Sequence, residues 1–337
     1  MSSRQNDCIN SVESALEYLG DGAMEIPSAF LPYRFYGFKE EVLERKLLSD
    51  LSSYKVLKTD KVMAAWTPLS WDSKHFHRKM LELKYFITEV GASYEERSAI
   101  IEKLHDSWQE YDHVAARINA FDIMSAQVFE RAGFSLMDTN VRYGIDLRRS
   151  SIQKFEGSSL KTDGLMYEIM PCPCDSGELI EIAKTSWSDY KVAIDRFHAD
   201  KSIPERLADS VYTEWLKNSL AGELADIVVV PRVDGKAVGF LALKQHADNV
   251  EESKIGQIVL GAVDPSMRGK NVYTCMVSLA LRILRTKTDI VETGTQVTNY
   301  APQKVWAQHG LKLVSTTYTF HKELNSAQRK RTQSNAD

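Results

Sequence analysis

Hydrophobic positions in the second half of the chain follow two different spacings, one typical of strands and the other typical of helices. Two β-rich runs flank the dipeptide Asp234-Gly235, which predicts a β-hairpin over residues 226–244. Further strands are predicted at residues 255–264, 289–297 and 311–324, and helices at residues 176–187, 203–222, 272–287 and 300–310. Together these elements predict an α/β fold with a mixed sheet and helices on its faces.

One segment of the first half resembles a segment of the second half in sequence. Aligning Gly133 with Gly310 superposes residues 126–139 on residues 303–316, so that Phe129 falls on Trp306. Both segments predict a helix, a glycine stop and a strand. Two interpretations stay open: any helix–glycine–strand unit shows this pattern, or the first half is a degenerate copy of the second.

The length of 337 residues suggests two domains, at roughly 100–200 residues per domain. A polar, Ser- and Gly-rich stretch at residues 151–165 predicts a linker between a first domain at 1–150 and a second at 166–324. The last residues, 325–337, carry no apolar periodicity and predict a disordered tail.

Composition and charge exclude several classes of protein. With 43% hydrophobic and 26% charged residues, the chain is of the folded globular type. A net charge of −4 gives no electrostatic footprint for nucleic acid, and four cysteines are too few for a disulfide scaffold. No apolar run is long enough to span a bilayer. We therefore expect a cytoplasmic protein with neither a nucleic-acid nor a membrane partner.

The sharpest local signal is the segment 263–273, where a predicted strand passes through a short basic loop into a predicted helix. Such a junction directs unpaired backbone N–H groups and the positive end of a helix dipole towards one place. Gly269 permits close approach of the backbone, and Asn271 tolerates a left-handed conformation. We expect this loop to bind a pyrophosphate; the alternative is an ordinary strand-to-helix turn.

The succession of strand, basic loop, helix, strand, Asn299, helix, Gly310 and strand resembles the acyl-CoA-binding core of the GNAT acetyltransferase superfamily. The resemblance implies a GNAT-like fold for residues 166–324, with a degenerate copy before it. It also implies acetyl-CoA as co-substrate, whose pyrophosphate is held by loop amides and whose pantetheine or phosphate arm bonds Asn299. The residues it implies for acetyl-CoA are Val263, Arg268, Gly269, Lys270, Asn271, Val272, Tyr273, Asn299 and Trp306.

Further motifs narrow the resemblance within that superfamily. The segments 69–76, 131–139 and 196–219 are similar to those of the TDP-fucosamine acetyltransferase group, which acetylates the C4 amine of a nucleotide-linked 4-amino-4,6-dideoxy sugar. The resemblance covers roughly residues 69–324 and implies substrate binding by Trp71, Asp72 and Arg196. For the last two, capping of a turn by Asp72 and surface pairing of Arg196 are equal alternatives.

The chain departs from the family pattern at the site itself. Asn271 and Tyr273 replace small residues of the loop, and Trp306 stands where many members have the tyrosine that protonates the leaving thiolate. Because an indole has no proton to give at neutral pH, this role is either vacant or moved to a nearby phenol, Tyr318 or Tyr300, of which we favour Tyr318. His77 also replaces a family glycine after the segment 69–76.

The resemblance implies direct attack of an amine on the thioester, with a strand amide near Val263 polarising the carbonyl. His198 is the candidate base, since it titrates in the right range; a surface or satisfied core histidine is the alternative. We expect no metal, because the pair Cys172 and Cys174 lacks a second pair of ligands at suitable spacing.

We therefore predict an N-acetyltransferase that acts on a small-molecule amine, with a nucleotide-linked amino sugar as the favoured acceptor. Two alternatives remain: another acyl-CoA enzyme acting on an amino acid, polyamine or antibiotic, and a non-catalytic GNAT-fold scaffold or sensor. The sequence leaves open a homodimer, a longer acyl donor and the role of residues 1–65.

Overall fold

The computed structural model describes residues 35–149, 164–187 and 195–324. The chain divides into two compact units. Unit 1 comprises Met1–Asn140, Ala199–Ile203 and Ser315–Asp337, and unit 2 comprises Val141–His198 and Pro204–Val314. The expected tail at 325–337 and nearly all of the expected linker at 151–165 lie outside the described residues. The expected domain limits stay predictions.

Unit 1 is a mixed sheet with helices. Its helices are α1 (Glu40–Leu51), α2 (Ser70–Phe76), α3 (Tyr94–Ser107) and α4 (Ile123–Arg131). Its strands are β1 (Lys55–Lys58), β2 (Val62–Pro68), β3 (Met80–Thr88), β4 (His113–Asn119), the first part of β5 (Ser135–Asp146) and most of β12 (Lys312–Glu323). Their order is β1-β2-β3-β4-β12-β5, with β3 and β4 parallel and β4 and β12 antiparallel.

The apolar interior of unit 1 is built around large aromatic side chains. Trp66 of β2 and Trp108, at the end of α3, meet edge to face with ring centroids 6.2 Å apart. Phe129 of α4 and Phe320 of β12 pack in the same cluster and are almost completely buried. The burial of these rings fixes α3 and α4 against the sheet.

Unit 2 is a second mixed sheet with helices. Its helices are α5 (Gly177–Trp187), α6 (Arg196–Ala199), α7 (Glu205–Leu220), α8 (Val272–Leu284) and α9 (Tyr300–Gln308), with a 3₁₀ turn at Pro265–Met267. Its strands are β6 (Leu165–Pro171), β7 (Ile227–Val233), β8 (Lys236–Ala237), β9 (Gly239–Val250), β10 (Ser253–Val263) and β11 (Ile290–Gln296). They follow the order β5-β11-β10-β9-β7-β6, and β8 pairs with β7.

The elements predicted for the second half are confirmed. Asp234 and Gly235 take φ angles of 50° and 79°, the left-handed pair that a tight hairpin turn requires. The helical stripe of α8 is buried, with Val277, Leu281 and Leu284 at 0% exposure. β6 is a strand that the pattern did not predict, and the second arm of the predicted hairpin is divided into β8 and β9. Within the described residues, every helix is too short or too polar to traverse a bilayer.

The two helix–glycine–strand segments form the same local structure and exchange their strands. Gly133 after α4 and Gly310 after α9 have φ angles of 83° and 82°. β5, which follows α4, passes into unit 2, where Ile145 lies 3.7 Å from the position of a Cβ on Gly310. β12, which follows α9, pairs with β4 in unit 1, with Tyr318 opposite Ile118. The expected α/β fold with a mixed sheet is confirmed.

Candidate functional site

The two central strands of unit 2, β10 and β11, separate from each other. They pair in parallel where Ile255–Gln257 meets Ile290–Glu292, and Thr293 Oγ1 donates to the carbonyl of Ile258 at 3.1 Å. Beyond that point both strands continue, and no further pairing between them occurs in the described part of the chain. A gap of this kind leaves backbone groups available to an extended ligand.

The turn from β10 into α8 leaves the start of α8 without a side-chain cap. The carboxylate of Asp264 accepts the N–H of Ser266 at 2.9 Å, which closes the 3₁₀ turn. Gly269 and Asn271 take left-handed φ angles of 78° and 59°, and a Cβ on Gly269 would meet nothing within 4 Å. Asn271 makes no side-chain cap for α8, which begins at Val272 as expected. The first N–H groups of α8 are therefore available to an anion, and the loop fits a pyrophosphate.

The two basic residues of this loop play different parts. Nη2 of Arg268 donates to the carbonyl of Ser186 at 3.0 Å, and Oγ of Ser186 donates to the carbonyl of Val263 at 3.3 Å. These bonds tie the last turn of α5 to the end of β10. Lys270 is exposed, and its Nζ lies 3.6 Å from the sulfur of Met267. Arg268 therefore supports the loop, whereas Lys270 leaves its charge at the surface beside it.

Asn299 lies in the turn between β11 and α9. Its Nδ2 donates to Thr295 Oγ1 at 3.0 Å, and its side chain does not cap α9. Nε2 of Gln303 donates to the carbonyls of Val297 and Asn299, both at 2.9 Å. These two hydrogen bonds from Gln303 stabilise the turn. Among the described residues, the side-chain oxygen of Asn299 accepts no hydrogen bond, so it is available to a ligand donor.

Tyr273 and Trp306, two departures from the family pattern, contact each other. Nε1 of Trp306 donates to the phenolic oxygen of Tyr273 at 3.1 Å. Trp306 is 2% exposed, and its ring lies 5.5 Å from the ring of Tyr143. Burial raises the pKa of the Tyr273 hydroxyl, and the hydrogen bond from Trp306 opposes that rise. Sequence reasoning missed this pairing because it joins side chains of two helices.

His198, the predicted base, lies between two carboxylates. Its Nδ1 is 2.8 Å from Asp195 and its Nε2 is 3.1 Å from Asp209. Burial lowers the pKa of His198, but the two carboxylates outweigh it, and the net pKa is raised. The protonated imidazole is therefore favoured, and the ring must lose a proton before it can accept one. Close by in sequence, the guanidinium of Arg196 lies 4.5 Å from the ring of Phe197.

Comparison with known proteins agrees with this geometry. Residues 185–311, which include the loop, the separated strands and α9, match the model of the Acetyltransferase (GNAT) family. We call residues 185–311, which match this family model, the GNAT-like region. The chain is therefore an acyltransferase enzyme. The predicted scaffold function is not needed to explain the departures at Tyr273 and Trp306.

Two solved structures share the fold. A GCN5-related N-acetyltransferase from Sphaerobacter thermophilus aligns with a TM-score of 0.57 and 12% identity, over 89% of this chain and 95% of that one. A tandem GNAT protein from the clavulanic acid biosynthesis pathway aligns with a TM-score of 0.50 and 12% identity, over 84% of this chain and 88% of that one. The second match agrees with the expected tandem architecture.

The chain is also similar to the spore coat polysaccharide biosynthesis protein SpsD of Bacillus subtilis (strain 168). The two are 23% identical over 254 residues, which cover 74% of this chain and 80% of the relative. At this distance, membership of the TDP-fucosamine acetyltransferase group stays a prediction.

The residues predicted to bind the acceptor lie partly in unit 1. The ring of Trp71 stacks on that of His75 within α2, with centroids 4.8 Å apart, and Asp72 lies in the first turn of the same helix. His77 ends α2 with a left-handed φ of 54°, a conformation that favours glycine, which explains a glycine in the family pattern. Trp71 and Asp72 belong to unit 1 and Arg196 to unit 2; their roles stay predictions.

Tyr318, the predicted general acid, lies in the β12 part of unit 1. It faces Ile118 of β4 in the strand register, and its ring centroid is 6.4 Å from that of Phe320. It is partly buried against the apolar interior of unit 1. Its packing is therefore that of a core tyrosine, and its catalytic role stays a prediction.

In unit 1, side chains cap the starts of α3 and α4, the helices that correspond in chain order to α8 and α9 of the GNAT-like region. Ser93 Oγ accepts the N–H of Glu96 at 3.2 Å, and the Glu96 carboxylate accepts the N–H of Ser93 at 2.7 Å, which together cap α3. Asp122 caps α4 by accepting the N–H of Ser125 at 3.0 Å, and it also binds Nη1 of Arg97 at 2.9 Å. These caps occupy the N–H groups that an anion would need.

Potential metal ligands occur in both units. In unit 1, His113 Nε2 and His321 Nδ1 each lie 2.8 Å from the same oxygen of Asp200, and all three side chains are buried. The sequence shows no sign of this cluster, because its members are 87 and 121 positions apart. In unit 2, the sulfurs of Cys172 and Cys174 are 3.9 Å apart. The expected absence of a metal stays a prediction.

Proposed function

We propose that the protein is an N-acetyltransferase that moves the acetyl group of acetyl-CoA to the amine of a nucleotide-linked amino sugar of the 4-amino-4,6-dideoxyhexose type. The observation that carries this proposal is the junction of β10 and α8, where a strand that has separated from β11 leads into an uncapped helix start. The GNAT match supports acetyl transfer. The name of the B. subtilis relative, a polysaccharide biosynthesis protein, supports a sugar-related acceptor.

In this proposal the loop 268–272 and the start of α8 hold the pyrophosphate of acetyl-CoA through backbone N–H groups. The dipole of α8 attracts the negative charge, and the exposed Lys270 adds to that attraction. The gap between β10 and β11 accepts the extended pantetheine arm, and the side-chain oxygen of Asn299 accepts a hydrogen bond from an amide N–H of that arm.

The reaction needs little covalent help from the protein. The neutral amine attacks the thioester carbonyl carbon, the C–N bond forms, the C–S bond breaks, and the sulfur leaves with the electron pair. A backbone N–H near Val263, at the end of β10, polarises the carbonyl. Holding the amine and the thioester together supplies much of the rate, since fixing two reactants removes the entropic cost of their encounter.

The acceptor side of the proposal rests on the resemblance to the amino-sugar enzymes. Trp71 offers an aromatic face to a sugar or base, Asp72 offers a carboxylate to sugar hydroxyls, and Arg196 offers a cation to the diphosphate. His198 receives the amine proton through water; because its pKa is raised, turnover should increase with pH through the upper part of its titration. Tyr318 is the sequence-based candidate for the acid.

The proposed binding of acetyl-CoA is tested by calorimetry. Wild type should bind, and Gly269→Asp should weaken binding at least about 100-fold, because a carboxylate in the loop repels the pyrophosphate. Gly235→Asp is a matched control, since Gly235 has a φ of 79° against 78° for Gly269 and equally open surroundings, but lies in the hairpin turn. Equal binding by all three proteins would refute the loop as the pyrophosphate site.

The acceptor half is tested by thiol release from acetyl-CoA with a panel of amines. TDP-4-amino-4,6-dideoxygalactose should be turned over with a kcat/KM at least about tenfold above those of spermidine, free amino acids and an aminoglycoside. A better rate with one of the other amines would overturn the amino-sugar acceptor while leaving the donor half intact.

A further inference from the structure

Tyr273, in the first turn of α8, lies between β10, one of the two separated strands, and helix α9. A Cβ built on Gly261 of β10 would lie 3.6 Å from Cε2 of Tyr273, so the phenol ring lies over this strand. On its other side, the phenolic oxygen meets the indole N–H of Trp306 on α9 at 3.1 Å. The phenol is thus held between Gly261 of β10 and Trp306 of α9.

The hydrogen bond from Trp306 decides what the hydroxyl can do. An indole N–H is only a donor, so the phenolic oxygen accepts this bond and keeps its own hydrogen for another acceptor. Among the described residues, no acceptor for the hydrogen lies within hydrogen-bonding distance. Tyr273 is partly buried, and a shielded hydroxyl without an acceptor loses a hydrogen bond that it would make in water, so a ligand acceptor would be favoured there.

Trp306 is held firmly enough to orient the phenol. It is almost completely buried, and its ring packs against Tyr143, whose hydroxyl lies 3.4 Å from Oε1 of Gln303. Burial of the Tyr273 hydroxyl keeps it protonated at neutral pH, and the indole N–H stabilises the phenolate that remains when the proton leaves. A group that must donate a proton during turnover needs both properties.

We infer that Tyr273 is the general acid that protonates the sulfur of the leaving CoA, and that Trp306 is the positioning residue that orients the phenol and stabilises its anion. In this step the C–S bond of the thioester breaks, its electron pair stays on sulfur, and the phenolic proton moves to that sulfur. The phenolate then recovers a proton from solvent, and His198, which receives the proton released by the attacking amine through water, returns that proton to solvent. The inference rests on the proposed acetyl transfer.

The first test reads the thiol of bound CoA and needs no acceptor. The thiolate has its own ultraviolet absorbance, so the thiol of CoA can be titrated while CoA is bound. Donation by Tyr273 stabilises the thiolate, so Tyr273→Phe should raise the apparent pKa of the bound thiol by about one to two pH units, with CoA affinity changed less than about threefold. Tyr143→Phe is the matched control, since it removes another phenol against the same indole and should leave that pKa unchanged.

The second test reads turnover with acetyl-CoA and TDP-4-amino-4,6-dideoxygalactose. Tyr273→Phe should lower kcat at least about 100-fold with little change in the KM for acetyl-CoA, because a positioned acid contributes about 10²–10⁴-fold. Trp306→Phe should lower kcat less and should move the basic limb of the pH–rate profile upwards, because the phenolate loses its donor. Tyr143→Phe should change kcat less than about threefold.

A rescue experiment separates chemistry from packing. In the double variant Tyr273→Phe with Trp306→Tyr, a phenol returns from the α9 side of the same contact, and part of the lost kcat should return. An unchanged thiol pKa together with an unchanged kcat in Tyr273→Phe would overturn the inference, as would a large loss confined to Tyr318→Phe. Absence of CoA binding to wild type would instead overturn the proposed function itself, and the inference with it.

Discussion

The two halves of the chain begin their corresponding helices in opposite ways. In unit 1, Ser93 and Glu96 close the start of α3 with a capping box, and Asp122 caps α4. In unit 2, α8 and α9 begin after Asn271 and Asn299, and neither side chain makes a cap. Because a cap uses N–H groups that a bound anion would otherwise use, unit 1 has capped the helix starts that the GNAT-like region leaves uncapped.

The residues around the caps differ in the same sense. Asp122 pairs with the buried guanidinium of Arg97, which also donates to the carbonyl of Ala92 at 3.2 Å, so its carboxylate serves the fold. Asn299, at the equivalent place in the second half, carries no charge and keeps its side-chain oxygen available. A pair of similar segments can therefore be told apart by what satisfies their helix starts, without any bound ligand.

The largest expected effect is a loss of stability when the buried guanidinium of Arg97 in unit 1 is removed. Arg97→Ala leaves Asp122 without its partner and should reduce the free energy of unfolding by about 3–5 kcal/mol. Urea denaturation measures the change. The exposed Arg131, whose guanidinium lies 4.9 Å from the ring of Tyr94, gives a control variant, Arg131→Ala, with a loss below about 1 kcal/mol. Acetyl-CoA affinity should stay unchanged in the folded protein; a loss of affinity would mean that the closed helix starts also serve the donor.

An effect of intermediate size is expected on the stability of the fold at low pH. Burial alone would raise the pKa of Asp200, but hydrogen bonds from His113, His321 and Ser202 outweigh it and hold that pKa well below its usual range. A depressed carboxyl pKa stabilises the fold above the pKa of the unfolded chain, near 4, and this stabilisation is lost as the pH falls further.

Asp200→Asn should therefore lower the melting temperature at pH 7 and flatten its fall between about pH 5 and pH 3. Differential scanning fluorimetry across that range measures both changes. Asp209→Asn is a control, because Asp209 is exposed and pairs with His198, outside the cluster around Asp200. An acid limb in Asp200→Asn as steep as that of wild type would assign the acid sensitivity to other carboxyls.

The smallest expected effects have opposite signs at the two helix starts. Ser93→Ala should cost about 1 kcal/mol of stability, because α3 loses a cap. Asn271→Asp should add about 0.3–1 kcal/mol, because a carboxylate at the open start of α8 favours the helix dipole, and aspartate tolerates the left-handed conformation. The same change should weaken acetyl-CoA binding in calorimetry. Stronger binding in Asn271→Asp would contradict the pyrophosphate site.

Local patterning was enough to predict much of the second half. Periodicity placed the strands and helices from β7 to β12, and the dipeptide Asp234-Gly235 predicted its hairpin, because these features depend on neighbours along the chain. The loop with Gly269 and Asn271 was predictable for the same reason, since left-handed φ angles select particular residue types. The first half was harder, because its hydrophobic spacing gave mixed signals outside the helix–glycine–strand segment at residues 126–139.

The sequence by itself determined the order of elements, the repeated helix–glycine–strand segments and the basic loop that leads into α8. Only the tertiary structure decided which unit each final strand joins, that the indole of Trp306 meets the phenol of Tyr273, and that His113 and His321 share one oxygen of Asp200. Spacing along a chain specifies local backbone geometry, whereas contacts between distant segments depend on how whole elements pack.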